Sequence, residues 1–450
     1  MGNETSRYVA VIGAGPAGIF AARELANNNH KVTLINRDIK PGGLAEYGIY
    51  PSKQKLKEGI RKQFYSTLSL DNVDYFGNLV VGEKADLTLQ DLRDIGFDAI
   101  LVTTGAQGTK WLGLPGEGLR GCFHAKDLVY HYNQLPPFST KTFHIGKKVA
   151  IIGVGNVMTD IARYLITQKQ VDEVTAIARR GPAEVKFTRK ELEYIVKNLD
   201  MDDYLKEIER VTPLMESLGQ DPSESISFIR EALTKADETN SQTKFRLKFL
   251  ASPVRIIGNM NNEVTELELE ENTLVSVNDE LKAQGTGKKH LLDVDTVIFA
   301  IGDAIDPTFG LPYDGTEFIK NPNPRFPING LSYESYDPDN SKIIEDVFLA
   351  GWARKASDGL VGNARKDGVN AAQVINNYLK TLTTPARENG HSIYTFLTKR
   401  HSAVVSKNDL QILLSVESKI AKEKNVENFK FSTNEEMLSV ISQHEIFHKG

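Results

Sequence analysis

Apolar and polar positions divide the chain into runs of two kinds. Short β-branched or aliphatic runs bounded by glycine predict buried strands at Tyr8 to Ile12, Lys31 to Asn36, Phe97 to Thr104, Lys148 to Ile152 and Glu173 to Ala178, and again at Val294 to Asp303 and Asp346 to Trp352. Helical stretches follow several of them, through Ala21 to Leu25, Lys53 to Ser66 and Val369 to Ile375. Strand, helix and strand in close succession predict parallel sheets and an α/β fold. Leu199 to Asn240 reads as polar helix. Lys244 to Val254 and Val264 to Leu269 read as alternating strands of an antiparallel layer, and Asp306 to Asn340, rich in Pro and Asn, as loop. Near the end, Asp409 to Lys424 and Ser432 to Ile446 read as two amphipathic helices, the second opened by a capping box of Ser432 and Glu435.

Two of the strand–helix junctions carry chemistry. The first reads Gly13-Ala14-Gly15-Pro16-Ala17-Gly18. Such spacing allows a tight turn at Gly13, close approach of a pyrophosphate at Gly15 and close helix packing at Gly18, with the helix N-terminus turned to the phosphates. A glycine turn can also serve plain packing, but here it stands between a strand and a helix with a second strand after it. That second strand ends at Asn36, where a carboxylate ordinarily meets a ribose; asparagine can still accept one hydrogen bond there. The loop Pro41 to Ile49, with Gly43, Leu44 and Gly48, suits close backbone contact with a flat ring or a phosphate, or is a plain turn.

The second junction reads Gly153-Val154-Gly155-Asn156-Val157, with Met158 at the third glycine position, which predicts a helix standing further from its strand. The strand after it ends in Arg179-Arg180-Gly181-Pro182. Two guanidinium groups where an acid would favour NAD suit a 2′-phosphate. This points to NADP at the second site and to a dinucleotide lacking a 2′-phosphate at the first. The late strand leads to Trp352, then to Gly359-Leu360-Val361, a turn whose backbone N–H groups could reach the far end of a cofactor held by the first fingerprint. Trp352 is either core or a ring-stacking group.

Composition narrows the classes. Of 450 residues, 40% are hydrophobic and 25% charged, an ordinary globular balance with several domains' worth of core. No apolar run approaches the roughly 18 residues of a membrane span, so stable membrane insertion is not expected. A net charge of −5 argues against a nucleic-acid partner. The single cysteine, Cys122, leaves no paired-thiol redox centre and no cysteine-ligated cluster, and no metal site is expected. A cytoplasmic protein is expected. Met1 to Ser6 formally fits the pattern for N-myristoylation, but no polybasic second anchor follows. The run Lys53, Lys55, Lys57, Arg61, Lys62 reads as a solvated face or a docking patch for an acidic partner.

Taken in order, both glycine fingerprints, Ala178 to Pro182 with Phe187 to Leu192, and Gly351-Trp352 followed by Gly359 to Gly362 resemble the adrenodoxin reductase family, including its bacterial ferredoxin–NADP reductase members. Phe76 to Asn78 with Val81-Gly82, Leu114 to Gly116, and Lys430-Phe431 with Glu435 to Leu438 extend the resemblance over nearly the whole chain. It implies two Rossmann-like dinucleotide-binding domains: a discontinuous FAD domain from residues 1–107 and 306–384, an NADP domain at 108–305, and a helical extension at 385–450 packed on the FAD domain. It implies FAD contacts at Ala17, Leu44, Val81, Trp352 and Gly359 to Val361, beside the cofactor-binding candidates that the turns and loops themselves offer, Gly13, Gly15, Pro16, Gly18, Asn36, Gly43, Gly48, Gly105 and Gly351. NADP contacts fall on Val154 to Val157, Arg179, Arg180, Glu191 and Gly359, with Gly153 offered by the fingerprint itself, and Trp352 and Gly359 become the residues closest to the chemistry.

The activity implied is electron transfer between NADPH and an iron–sulfur protein like ferredoxin or adrenodoxin. Two other readings stand beside it: an electron-input subunit resembling the glutamate synthase small subunit, and a flavin-holding binding partner without turnover. The chain departs from the family's pattern at three places. Tyr50-Pro51-Ser52-Lys53 replaces an Asp-His pair, Tyr194 replaces a carboxylate, and Ala356-Ser357, with Asp358 next, replaces Gly-Pro. Where the family carries arginines for its acidic partner, Leu199 to Glu207 is acidic.

Overall fold

The computed structural model describes residues 6–278, 280–356, 359–384, 395–396 and 403–448. The chain forms two compact units, one from Met1–Thr109, Tyr130–Thr140 and Gly302–Gly450, the other from Lys110–Val129 and Lys141–Ile301.

In the first unit a seven-stranded sheet runs in the order Glu334–Asp337, Lys342–Leu349, Ala99–Val102, Tyr8–Ile12, Lys31–Ile35, Val73–Gly77, Val405–Ser406. The five inner strands pair in parallel, with Val9 opposite Val32 and Ala99. Both faces are covered, which is why Tyr8–Ile12 is apolar throughout instead of alternating. Val9 and Val11 enter one core with Phe20, Phe64 and Ile375, whereas Ala10 and Ile12 enter another with Phe76, Leu87 and Phe309. The helices Pro16–Asn27 and Val361–Thr381 lie on the first face so closely that a Cβ on Gly368 would meet Ala17 O at 2.1 Å.

The end of the chain belongs to this unit. Val405–Ser406 pairs antiparallel with Val73–Gly77, and Asn78, at a φ of 57°, donates from Nδ2 to Ala403 O. Lys407–Glu423 and Asn434–His448 are the two expected helices, with Leu413, Met437 and Ile441 packed on Ile39. The second is opened one residue later than expected. Thr433 Oγ1 accepts from Glu436 N, and Glu436 Oε2 accepts from Ser432 N and Thr433 N. The stretch expected as loop before the late strand also holds the strand Glu334–Asp337.

The second unit carries a five-stranded parallel sheet in the order Cys122–His124, Thr296–Phe299, Lys148–Ile152, Glu173–Ile177, Lys244–Lys248. Here one expectation needs correction. Lys244 to Val254 is two strands, because the chain turns at Leu250 with a φ of 49°. The first half is the edge of the parallel sheet, and Ala251–Gly258 opens a three-stranded antiparallel layer with Val264–Val277 and Glu280–Asp293. Met201–Ser217 and Pro222–Leu233 fill the polar helical stretch. The α/β class, parallel sheets and helical tail agree with the sequence pattern. No helix among the described residues is long and apolar enough to cross a membrane.

Candidate functional site

In the first unit Gly13 N donates to Ile35 O at 2.7 Å, while Thr103 Oγ1 donates to Gly13 O at 2.8 Å, so the turn is held from both neighbouring strands. A Cβ on Gly18 would sit 2.0 Å from Gly13 O and 2.5 Å from Thr103 Oγ1, which leaves glycine as the only residue that fits. Gly15 differs. It is extended, no side chain caps the helix that begins at Pro16, and a Cβ there would meet nothing within 4 Å. An uncapped helix N-terminus facing open space is a cradle for a phosphate group.

Other expected segments converge on the same turn. Gly42 N donates to Ala14 O at 2.7 Å, and a Cβ on Gly43 would lie 3.1 Å from Gly15 Cα, so the loop that continues into the helix Leu44–Tyr47 and Gly48 passes beside the cradle. A Cβ on Gly351 would come within 2.8 Å of Ala17 Cβ, which brings the turn Gly351–Ala353, with half-buried Trp352, to the same helix. Gly351 N donates to Asp367 Oδ2 at 2.6 Å, and Asp367 Oδ1 accepts from Arg354 Nη2 at 2.7 Å and Tyr333 OH at 3.0 Å. Gly359 takes a φ of 73°, Leu360 is exposed, and no side chain caps the helix starting at Val361. Val81 lies in the core with Ile12 and Val102, and Gly105, with a φ of 72°, turns the chain after the strand Ala99–Val102. Ser357 and Asp358 lie outside the described residues.

Asn36, expected against a ribose, is engaged by the turn itself. Only 8% exposed, it accepts at Oδ1 from Ala14 N at 3.0 Å and donates from Nδ2 to Asp38 O at 2.8 Å and Lys40 O at 3.1 Å. Tyr50, two residues before the Ser52-Lys53 that stands where the family has Asp-His, packs its ring 5.4 Å from that of Tyr132.

The second unit repeats the cradle. Gly153 N donates to Ile177 O at 2.9 Å, the helix Asn156–Tyr164 has no side-chain cap, and a Cβ on Gly155 would again meet nothing within 4 Å. Val154 O accepts from Lys186 N, Asn156 Oδ1 accepts from Thr188 N at 2.9 Å, and Val157 is exposed. Met158 is fully buried at the position where the first unit has no room for a Cβ, so this helix stands off its strand. Arg179 is exposed and Arg180 half-buried just past the strand Glu173–Ile177. Glu191 lies in the short helix Arg189–Leu192, its N–H donating to Thr188 Oγ1. The Arg163 guanidinium lies 3.9 Å over the Tyr194 ring, a cation–π contact where the family's carboxylate would stand.

Charge runs prove more structural than their local sequence implies. In the basic helix, Lys57 is buried and donates to Asn133 Oδ1 at 2.6 Å, and Arg61 forms a two-pronged pair with Glu46. Glu46 also accepts from Lys430 Nζ at 2.6 Å, and Lys40 pairs with Glu417 at 2.8 Å; these ion pairs line a cavity of about 190 Å³ under the tail helices. Burial would raise the Glu46 carboxyl, but Arg61's hydrogen bonds and the Lys430 charge outweigh it and hold the group at about 2. In the acidic stretch, Asp200 caps its helix and meets Arg246, and Glu207 pairs with Arg210 while accepting from Phe249 N. Asp367, Thr103, Glu46 and Lys430 were not singled out as site residues. Their partners come from other elements of the fold and no motif marks them.

A family described as pyridine nucleotide-disulphide oxidoreductase matches residues 7–202. NADPH-ferredoxin reductase FprA of Mycobacterium leprae is 28% identical over 395 residues, 80% of this chain and 81% of that protein. The mitochondrial NADPH:adrenodoxin oxidoreductase of Bos taurus is 27% identical, over 85% of this chain and 81% of its own length. A solved structure of FprA from Mycobacterium tuberculosis superposes with a TM-score of 0.79 at 25% identity, covering 97% of this chain and 99% of that one. The family resemblance read from the motifs is thereby borne out over most of the chain. The disulphide in the family's description has no counterpart here, since Cys122 is the single cysteine.

Proposed function

We propose that this homologue of the NADPH-ferredoxin and NADPH:adrenodoxin reductases is an FAD-dependent oxidoreductase moving electrons between NADPH and a one-electron iron–sulfur carrier. One contrast carries the reading. Two uncapped, glycine-opened helix N-termini stand on two separate sheets, and only the second is followed by an arginine pair. The first suits a dinucleotide without a 2′-phosphate and the second one with it.

FAD then belongs to 1–107 and 306–384, NADP to 108–305, with the tail at 385–450 supporting the FAD part. The residues present fit both groups, since open space lies over Gly15 and Gly155 where a phosphate would stand. Bound FAD supplies the conversion between two-electron and one-electron chemistry that side chains cannot perform. The chain's own part is positioning. The starts of the helices Pro16–Asn27 and Asn156–Tyr164 hold pyrophosphates, Asn36 fixes the first turn through Ala14 N, and Asp367 aligns Gly351 beside Trp352. Gly359 to Val361 offer backbone N–H groups to the ring end, while Arg179 and Arg180 grip the 2′-phosphate. A reducing compartment suits the single cysteine, and we place the protein in the cytoplasm.

Tyr50 to Lys53, without the family's acid and imidazole, favours a second reading in which the protein holds FAD but turns over slowly or not at all. Anaerobic titration with NADPH and then NADH, followed by flavin absorbance, separates the two. Prompt bleaching by NADPH and little by NADH is expected. A flavin that neither nucleotide bleaches would overturn the enzyme reading, and equal bleaching by both would overturn the role of the arginines.

A further inference from the structure

We propose that Asn272, remote in sequence from both fingerprints, is the positioning residue that sets the preference for a 2′-phosphorylated nucleotide, an inference resting on the reading of Arg179 and Arg180 just given. An arginine pair discriminates only if its backbone holds the two guanidinium groups at one place, because each side chain is long and rotamer-rich. The segment Ala178-Arg179-Arg180 is tied down at every carbonyl. Ala178 O accepts from Ala251 N at 3.0 Å, Arg180 O from Leu250 N at 3.1 Å, and Arg179 O from the side-chain amide of Asn272 at 2.9 Å. The first two ties are main-chain, so any sequence could make them. The third depends on one side chain.

Asn272 is built into that role. It is 8% exposed, its Nδ2 also reaches Ser252 Oγ at 2.8 Å, and its own N–H donates to Leu250 O at 2.8 Å. It therefore joins the arginine turn to the connection between the parallel sheet and the antiparallel layer. The register of Val264–Val277 against Glu280–Asp293 shifts between Glu270 and Asn272. Such an irregularity re-aims a side chain out of its alternation, and here the amide it bears meets Arg179 O. A carboxylate at this place would set an acceptor against the Arg179 carbonyl, and an aliphatic side chain would leave that carbonyl without this donor. Gly153 to Asn156, which would hold the pyrophosphate, are fixed separately by Ile177, Lys186 and Thr188. Loosening the arginine turn should thus cost the 2′-phosphate contact and spare the rest.

Calorimetric titration of the flavin-loaded protein with 2′,5′-ADP and with 5′-AMP tests this, using wild type, near-isosteric Asn272→Asp and Asn272→Leu. Wild type should bind 2′,5′-ADP much the tighter. Both variants should bind it about tenfold more weakly, the loss of one hydrogen bond, with 5′-AMP unchanged within about twofold. The ratio of kcat/KM for NADPH to that for NADH should fall by the same factor. In an Arg179→Ala/Arg180→Ala background, Asn272→Asp should have no further effect on selectivity. Equal weakening of both ligands, or no change in either, would overturn the inference while leaving the arginine reading standing. A wild type that fails to prefer 2′,5′-ADP would overturn the arginine reading itself.

Discussion

The pair between Lys430 on the tail and Glu46 beside the first cradle offers a quantitative test of how the tail supports the site. The two residues are 6% and 7% exposed, and Arg61 holds the same carboxylate with two bonds of 2.6 Å. Lys430→Met removes one of two cations from a buried carboxylate. Glu46→Gln leaves two cations facing a neutral amide. Breaking a buried pair from one side costs about 3–5 kcal/mol. The remaining Arg61 pair lowers the expected cost of Lys430→Met to about 2–3 kcal/mol, while Glu46→Gln should lie near the full figure. The carboxyl itself gives a matching scale, because holding it at about 2 instead of 4.5 contributes about 3 kcal/mol at neutral pH.

The two partners are pulled in opposite senses. Burial brings the Lys430 ammonium down to about 8 although Glu46 faces it, whereas Glu46 has both cations to itself; we take the carboxylate as the firmly charged member. Urea unfolding of the flavin-loaded single and double variants reads the coupling. The double variant Glu46→Gln/Lys430→Met should fall short of the sum of the singles by at least about 1.5 kcal/mol. Additivity within about 0.5 kcal/mol would refute the reasoning. Because the folded value for Glu46 lies below the unfolded one, its share of stability is complete above about pH 4.5 and disappears as the pH falls to 2, a loss that Glu46→Gln should lack.

Three further outcomes follow from the site. Gly15→Ala should leave the stability of the flavin-free protein within about 0.5 kcal/mol of wild type yet abolish FAD retention, while Gly18→Ala should cost more than about 3 kcal/mol; equal melting temperatures for the two flavin-free variants would contradict the geometry. Arg179→Ala should lower kcat/KM for NADPH by about 10- to 100-fold and leave NADH nearly unaffected, as steady-state assays would read. Asp367→Asn should destabilise by about 2 kcal/mol in denaturant titration, since it weakens the bonds from Gly351 N and Arg354, and unchanged stability would place those bonds at the margin.

The fingerprints, their strands and the late Gly351-Trp352 turn were legible because each depends on neighbours within about 20 residues. Lys244 to Val254 misled for a physical reason. Apolar alternation looks the same at the edge of a parallel sheet as in an antiparallel layer, and the turn at Leu250 has no glycine to announce it. The bracing role of Asn36 was not legible, because its partners, Ala14 N and the carbonyls of Asp38 and Lys40, are main-chain atoms that no pattern displays. Lys57 and Arg61 read as surface charge for the same reason: Asn133 and Glu46 become their partners only once the chain has folded. The capping box fell one residue early because Ser432-Thr433 and Glu435-Glu436 offer two registers with equal chemistry.

The short pairing of Val405–Ser406 with Val73–Gly77 has a consequence for how the protein behaves in company. It lies at the outer edge of a seven-stranded sheet, a row of N–H and C=O groups that would otherwise be open to a strand from another molecule. Lys407 completes the cover, its ammonium donating to the carbonyls of Leu70 and Val73. The tail is in this sense a guard against self-association. A chain ending before residue 403 would present an open template, and its loss should register first as growth in particle size with concentration.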